Sequence, residues 1–321
     1  MKNFGFIAAA LAMAPFCGHG QDVNALLSEW SVVTSGNLEL VNDIQGSAYV
    51  GGDVTVPNSF NVATGSSSLS RSAVSLAVVG NIDNGGNLQV NGGSVVAGGT
   101  ISRTINRNSG GTYTPNDPAG LPASPVSAIT SASQYWSALT ANSSTSVAAN
   151  GQLNFNCANS SLAVFNISAQ QMFNSGYQGF TLNPGSGTSE VIINLDAASS
   201  SGSVNWSTGS FFSQFNTPYW DSRVLLNFYN ATDVTLSGLI GGYVVAPNAT
   251  VTEDNNIDGG VMAQNLIVDS EVDLPSDNGT SAWDGDLPSV PEASTWAWAS
   301  GLGTIVLAAG SLRRQRLQFP C

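Results

Sequence analysis

The stretch GGYVVAPNATVTEDNNIDGGVMAQNLIVD, residues 241–269, decides the fold. It contains two short apolar runs, each introduced by a glycine pair, and 18 residues separate Gly242 from Gly260. Short apolar runs bounded by Gly, Asn and Asp are typical of β-strands that end in tight turns. A repeat of about 20 residues with one or two strands per turn predicts a β-solenoid, in which each strand pairs in parallel with its equivalent in the next coil.

The first half of the chain repeats the pattern. Gly80 and Gly99 are 19 residues apart, and Gly52 and Gly80 are 28 apart, with the Ser-rich insertion TGSSSLSRS between them. We therefore predict an all-β fold, a parallel β-solenoid, over residues 21–274; the alternative is a β-sandwich of antiparallel hairpins. The solenoid predicts four valines buried in parallel strands: Val50, Val79, Val244 and Val261.

The middle of the chain departs from the strand pattern. After the proline-rich stretch TPNDPAGLPASPV, residues Ile129, Ala132, Trp136 and Leu139 fall on one face of a helix. This spacing predicts one α-helix over about residues 126–141. Because a solenoid has long flat sides, we expect this helix to cover one apolar flank.

Both ends of the chain carry membrane-directed patterns. Lys2, an apolar run over residues 4–16 and small residues before position 21 are typical of a secretory signal peptide, residues 1–20, whose apolar core is helical. Near the other end, Thr295–Leu312 contains no charge over 18 residues, which is about long enough to cross a bilayer as a helix. Three arginines follow this segment and predict a cytoplasmic end; they are Arg313, Arg314 and Arg316.

Charge and residue types exclude several functions. Residues 21–290 hold four arginines and twenty acidic residues, a net charge of −16, which argues against nucleic acid as a partner. They contain no histidine or lysine, so Ser-His-Asp and Cys-His catalysis, Schiff-base chemistry and nearly all zinc sites are excluded. Cys157 is the one cysteine in this range, so it has no disulfide partner there and no neighbouring base type to activate it.

Carboxylates are the remaining candidates for chemistry. Asp269, Glu271 and Asp273 alternate, so one strand face could present all three as Ca²⁺ ligands, although an ordinary solvated acidic face is the favoured interpretation. Paired carboxylates leave a glycosidase or a polysaccharide lyase open. Ice binding would require Thr-x-Thr on successive coils, and the sequence offers one such pair, in ATVT. We predict no catalytic residue and no cofactor.

Residues 30–273 resemble the choice-of-anchor A domain of bacterial surface proteins. The segments that carry the resemblance are SVVTSGNLELVNDIQGSAYVGGDV, LAVVGNI, FNISAQQM, VIINLDA, VLLNFYNATDVTL, GLIGGYVVAPNATV and IDGGVMAQNL. The resemblance implies an adhesive or structural module with β-solenoid character at the cell surface or in the extracellular matrix. Its binding partner would be an extracellular polysaccharide or another surface.

The tail resembles a PEP-CTERM sorting signal over residues 291–316, after an acidic linker at 275–290. Val290, Pro291 and Glu292 match the motif that precedes the apolar segment, and Ala293 departs from its usual second proline. The resemblance implies an exosortase as processing partner in a Gram-negative bacterium that makes exopolysaccharide. The protein would be exported, tethered to the inner membrane, and then released to the cell surface or medium. A permanent single-pass anchor is the alternative.

Overall fold

The structure, a computed structural model, describes residues 22–65, 73–173, 176–206, 217–275 and 282–290. Its helices are α1 (Val23–Glu29), α2 (Val126–Ser137), α3 (Ala169–Met172), α4 (Pro218–Asp221) and a 3-10 turn (Ala198–Ser200). The strands before α2 are β1 (Val32–Thr34), β2 (Leu38–Leu40), β3 (Ala48–Val50), β4 (Val54–Thr55), β5 (Phe60–Val62), β6 (Val74–Val78), β7 (Leu88–Val90), β8 (Ser94–Ala97), β9 (Ile105–Arg107) and β10 (Tyr113–Thr114). The strands after α2 are β11 (Ser144–Val147), β12 (Gln152–Asn156), β13 (Leu162–Ser168), β14 (Gly179–Asn183), β15 (Glu190–Asp196), β16 (Ser203–Trp206), β17 (Val224–Asn227), β18 (Asp233–Leu236), β19 (Ile240–Glu253), β20 (Ile257–Val268) and β21 (Val272–Asp273).

Most of the strands form three parallel ladders, which the successive coils cross in turn. β11, β12 and β14 form a separate sheet, in which β12 and β14 are parallel. Ladder A has the order β10-β8-β6-β3-β1-β20-β19-β17-β15-β13. Ladder B consists of β16, β18, residues 250–253 of β19, residues 265–268 of β20, β2 and β4, and it continues through bridges to Ile82 and Ile101. Ladder C consists of β9, β7 and β5 and continues through Ile44 to β21 and the start of β20. Among the described strands, only β11 pairs antiparallel, with β12.

The parallel solenoid is therefore confirmed, and the β-sandwich is excluded. Val50, Val244 and Val261 are buried within strands of ladder A, as expected. Val79 is the exception: it follows β6 at the corner toward ladder B and is 40% exposed, so its predicted burial is wrong. The inward position belongs to Val78, which pairs with Val50 of the preceding coil. A shift of one residue reverses the side that a strand residue faces.

The glycine pairs mark the entry to ladder A. Gly242 and Gly259 lie side by side in β19 and β20. Gly242 has φ of 121°, and a Cβ atom on Gly259 would lie 2.0 Å from the carbonyl oxygen of Gly242. Only glycine lets the two backbones approach this closely.

The coils do not stack in chain order. The chain starts in the middle of ladder A at β1 and winds outward to β10. It resumes at the opposite end with β13 and winds back to β20, which pairs with β1, so that Asn37 hydrogen-bonds to Asn265, 228 positions away. Successive coils therefore pair within each half, as predicted. The pairing of β1 with β20, which we call the junction, joins the two halves.

The outer side of ladder A is covered by helices. Ile129, Ala132 and Trp136 of α2 are buried against it, and Leu139 packs on the same cluster, which confirms the predicted apolar face. The helix itself ends at Ser137 rather than near 141. The sequence pattern did not reveal α1, which packs beside α2 on this flank.

A row of asparagines fastens α2 to the solenoid. Asn166, Asn194 and Asn227 are in register on β13, β15 and β17. Their side-chain amides donate to Leu139 O (2.9 Å), Trp136 O (2.8 Å) and Ser133 O (2.9 Å), respectively. The asparagine row therefore ties the last turn of α2 and the residues that follow it to the outer side of ladder A.

Candidate adhesive surface

The outer side of ladder B presents a regular two-column array, which we call the ladder B array. Along each strand the inward residues are buried, as Val234, Val251 and Leu266 are, while the residues between them point outward. The first column is Ser203, Asp233, Thr250, Asn265, Asn37, Asp53, Asn81 and Thr100, and the second is Asn205, Thr235, Thr252, Ile267, Glu39, Thr55, Asp83 and Ser102. All sixteen are exposed or half-exposed.

Hydrogen bonds run along the first column from coil to coil. The side-chain oxygen of Asn37 accepts from Asp53 N at 2.9 Å, and Asp53 in turn accepts from Asn81 N at 2.6 Å. Asn81 continues the row by accepting from Thr100 N at 2.9 Å. Each Asn or Asp thus satisfies a backbone group of the next coil, so the spacing of the array follows the spacing of the strands.

The array is polar and carries negative charge only. Its four ionisable members are acids, and arginine and lysine do not occur in either column. Thr250 and Thr252 form the one Thr-x-Thr pair of the array. The pair is not repeated on the neighbouring strands, which place Asp233 and Asn265 beside Thr250. Apart from the apolar Ile267, the array is therefore a mixture of hydroxyl, amide and carboxylate groups rather than a continuous threonine lattice.

A cavity of about 390 Å³ lies at the β16 end of the array. Its lining includes the outward residues Ser203 and Asn205, and Phe173 supplies an aromatic side chain. The other lining residues are Ala169, Gln170, Ser199, Ser200 and Val204. The lining is uncharged and rich in hydroxyl and amide groups, which are suited to a neutral polar ligand. The sequence pattern did not indicate this cavity, because α3 and β16 are brought together only in the folded chain.

The three candidate Ca²⁺ ligands do not share a strand. Asp269 follows the end of β20, Glu271 lies in the turn, and Asp273 alone belongs to a strand, β21. The alternation expected from the sequence is therefore wrong here, because the chain turns between Asp269 and Asp273. Within the part of the chain that the structure describes, no group of three His, Cys, Asp or Glu side chains could hold a metal ion.

Asp273 instead pairs with Asp258 across adjacent strands. The two residues are in register and their carboxyl groups share a hydrogen bond. Partial burial, together with the charges of Glu271 and Asp258, raises the pKa of Asp273 to about 7. Retaining glycosidases hold their two carboxyl groups about 5–5.5 Å apart, so a hydrogen-bonded pair leaves no room for a sugar between them.

Glu253 occupies an inward position of ladder B, between Leu236 and Val268. Its side chain is fully buried and accepts a hydrogen bond from Ser270 N at 3.1 Å. Desolvation raises the pKa of this carboxyl to about 9, so it is protonated at neutral pH. Because side chains alternate along the strand, Thr252 points outward and Glu253 points into the core.

Cys157 is half-buried, and burial raises the pKa of its thiol to about 11. At neutral pH the thiol is protonated and therefore a weak nucleophile. The expected unreactive thiol agrees with this environment.

The sorting residues fall mostly outside the described part of the chain. Val290 is half-exposed and packs on the flank beside α1 and α2. The other motif and orienting residues, as well as segments 1–20 and 295–312, lie outside the described residues: Pro291, Glu292, Ala293, Arg313, Arg314 and Arg316. Among the helices that the structure describes, none has the length and apolarity to cross a membrane.

Comparison with known proteins gives one match. No curated protein and no solved structure matches this chain. A family model described as "putative ice-binding-like adhesive domain" matches residues 23–274, which is nearly the whole solenoid and most of the chain. The chain belongs to this family of ice-binding-like adhesive domains.

Proposed function

We propose that the protein is an exported, non-catalytic surface adhesive that binds an uncharged extracellular polysaccharide through the ladder B array. The observation that carries the proposal is the array itself: sixteen outward positions on eight successive strand segments, in two straight columns. Membership of an adhesive-domain family supports the same role.

The chemistry of the array favours a neutral, hydroxyl-rich partner. Short side chains with hydroxyl and amide groups exchange hydrogen bonds with sugar hydroxyls and lose little conformational entropy on binding. The four acids of the array would repel an anionic polymer, and no cation of the array offsets them. The uncharged cavity beside β16 extends the same surface.

Export and sorting complete the proposal. The resemblance to choice-of-anchor A domains covers residues 30–273, nearly the range of the adhesive-family match. We infer that residues 1–20 direct export. Residues 295–312 then hold the chain in the inner membrane, and an exosortase acts at Val290–Ala293 to release the body to the cell surface or medium. A permanent anchor remains the competing outcome.

The test measures retention of the secreted protein on neutral polysaccharide from the host matrix. Thr235→Trp combined with Thr252→Trp places bulk at the centre of the array, and we expect retention to fall at least tenfold. Gln89→Trp, at an outward position of ladder C, is the matched control and should bind normally. Mass spectrometry of the surface form tests sorting, with a product that lacks Arg313–Arg316 expected.

Three results would contradict the proposal. Equal retention of the ladder B and ladder C variants would show that the array does not bind the polysaccharide. Release of reducing ends or unsaturated sugars, abolished by one carboxylate substitution, would make the protein an enzyme. Thermal hysteresis that depends on Thr250 and Thr252 would make ice its ligand.

A further inference from the structure

Both ends of the described chain lie on the flank outside ladder A. Asn24 of α1 binds the C-terminal segment 282–290 through both polar atoms of its side chain. Its Nδ2 donates to Leu287 O at 3.1 Å. Its Oδ1 accepts from Leu287 N at 2.9 Å and from Trp283 Nε1 at 3.1 Å. Ser28 Oγ adds a bond to Trp283 O at 2.6 Å. The entry and the exit of the solenoid are therefore one structural unit.

The segment 282–290, which we call the strap, is also fastened to the solenoid body. Trp283 is buried, and its ring meets that of Tyr243 edge-on at 5.1 Å between centroids. Arg223 forms an ion pair with Asp284, and Val290 packs on the flank cluster. The last described residue is thus held against the body rather than free of it.

The distance from the strap to the tail is short. Only residues 291–294 separate Val290 from the uncharged segment that begins at Thr295. The five Cα–Cα steps from Val290 to Thr295 span about 18 Å at most when fully extended. Ladder A stacks ten strands, a length of about 45 Å. The strap contacts β19 through Trp283 and the turn before β17 through Asp284, so the chain leaves the body from its side rather than from either end of this stack.

We propose that, in the form of the chain that still carries its tail, the flank made of α1, α2 and the strap lies against the lipid bilayer that holds the tail. Because the tether is short and leaves from this flank, the flank is the side of the body nearest to the bilayer, and the body lies on its side. Ladders B and C then face away from the membrane, and the ladder B array is presented outward. This inference rests on the membrane attachment in the proposed function.

The experiment measures the depth of two labels on full-length protein in vesicles. A fluorophore is attached to Ser131→Cys, on the exposed side of α2, or to Thr55→Cys, in the ladder B array. Cys17, Cys157 and Cys321 are replaced by Ser. The vesicles contain phosphatidylethanolamine and phosphatidylglycerol at 3:1, with a headgroup quencher. We expect at least threefold stronger quenching at position 131 than at position 55.

A longer tether is the matched control. Twenty Gly and Ser residues inserted after Val290 would give a reach of roughly 25 Å, and the difference between the labels should disappear. If full-length protein does not float with the vesicles, the membrane attachment fails and the orientation falls with it. If it floats but both positions are quenched equally, or position 55 more strongly, the orientation alone is wrong.

Discussion

At the scale of single residues, the direction in which a strand residue points decides its chemistry. Glu253 and Thr252 are neighbours in β19, yet Thr252 belongs to the exposed array and Glu253 lies in the core. The buried carboxyl stays protonated near neutral pH because desolvation disfavours its charged form. It binds the backbone of the turn at Ser270 and so ties β19 to the chain that follows β20.

Glu253→Gln tests this protonation. A folded-state pKa near 9, above the unfolded value near 4.5, means that the stabilising contribution is complete below about pH 4.5 and is lost as the pH rises through 9. We expect denaturant unfolding to show wild-type stability falling between pH 5 and 9, and Glu253→Gln to flatten most of this decline. Asp273, whose folded-state pKa is about 7, adds a smaller decline in stability as the pH rises through 7. Asn205→Ala, at an exposed position of the array, changes no ionisable group and should leave the pH profile unchanged.

At the scale of elements, α2 depends on its contacts with ladder A. The helix has no charged residue in its first or last turn, and its N-cap residue, Pro125, has no capping side chain. Burial of Ile129, Ala132 and Trp136 and the asparagine row hold it in place. Asn194 and Asn227 are almost fully buried, so their amide groups must be paired within the protein.

Asn227→Ala tests the asparagine row. The substitution removes the bonds to Ser133 and Asn194 and leaves buried polar groups without partners, which typically costs about 1–3 kcal/mol. We expect the free energy of unfolding to fall by that amount in urea titrations. Asn205→Ala, at an exposed position of the array, is the control and should change stability by less than about 0.5 kcal/mol. Equal effects of the two substitutions would contradict the role of the row.

At the scale of the whole molecule, the spatial order of the coils differs from their order in the chain. The halves before and after α2 meet where β1 pairs with β20, and the strap keeps the two chain ends beside this junction. If the two ends were joined and the chain opened between β10 and α2, the order of the coils along the chain would match their order in space. That order runs from β13 through β20 and β1 to β10.

A circular permutant tests this arrangement. Residues 22 and 290 are joined by eight Gly and Ser residues, and the chain is opened between Ala119 and Gly120, which are exposed. We expect the native circular dichroism spectrum and faster refolding, because the pairing of β1 with β20 becomes more local. A permutant opened between Ala132 and Ser133, both buried in α2, should not fold stably. If the first permutant also fails to fold, the proposed continuity of the coils is wrong.

The sequence by itself determined the strands, the coil repeat, the parallel pairing within each half and the apolar face of α2. These features follow from local patterns: glycine pairs where backbones approach, and apolar residues at strand and helix spacing. The junction of β1 with β20, the burial of Glu253 and the ladder B array were decided only by the tertiary structure. The physical reason is that every coil offers the same kind of hydrogen-bonding edge, so local sequence does not specify which open edges meet. Nor does it show where a strand turns a corner, and a shift of one residue there exchanges the buried and exposed sides, as it does at Val79.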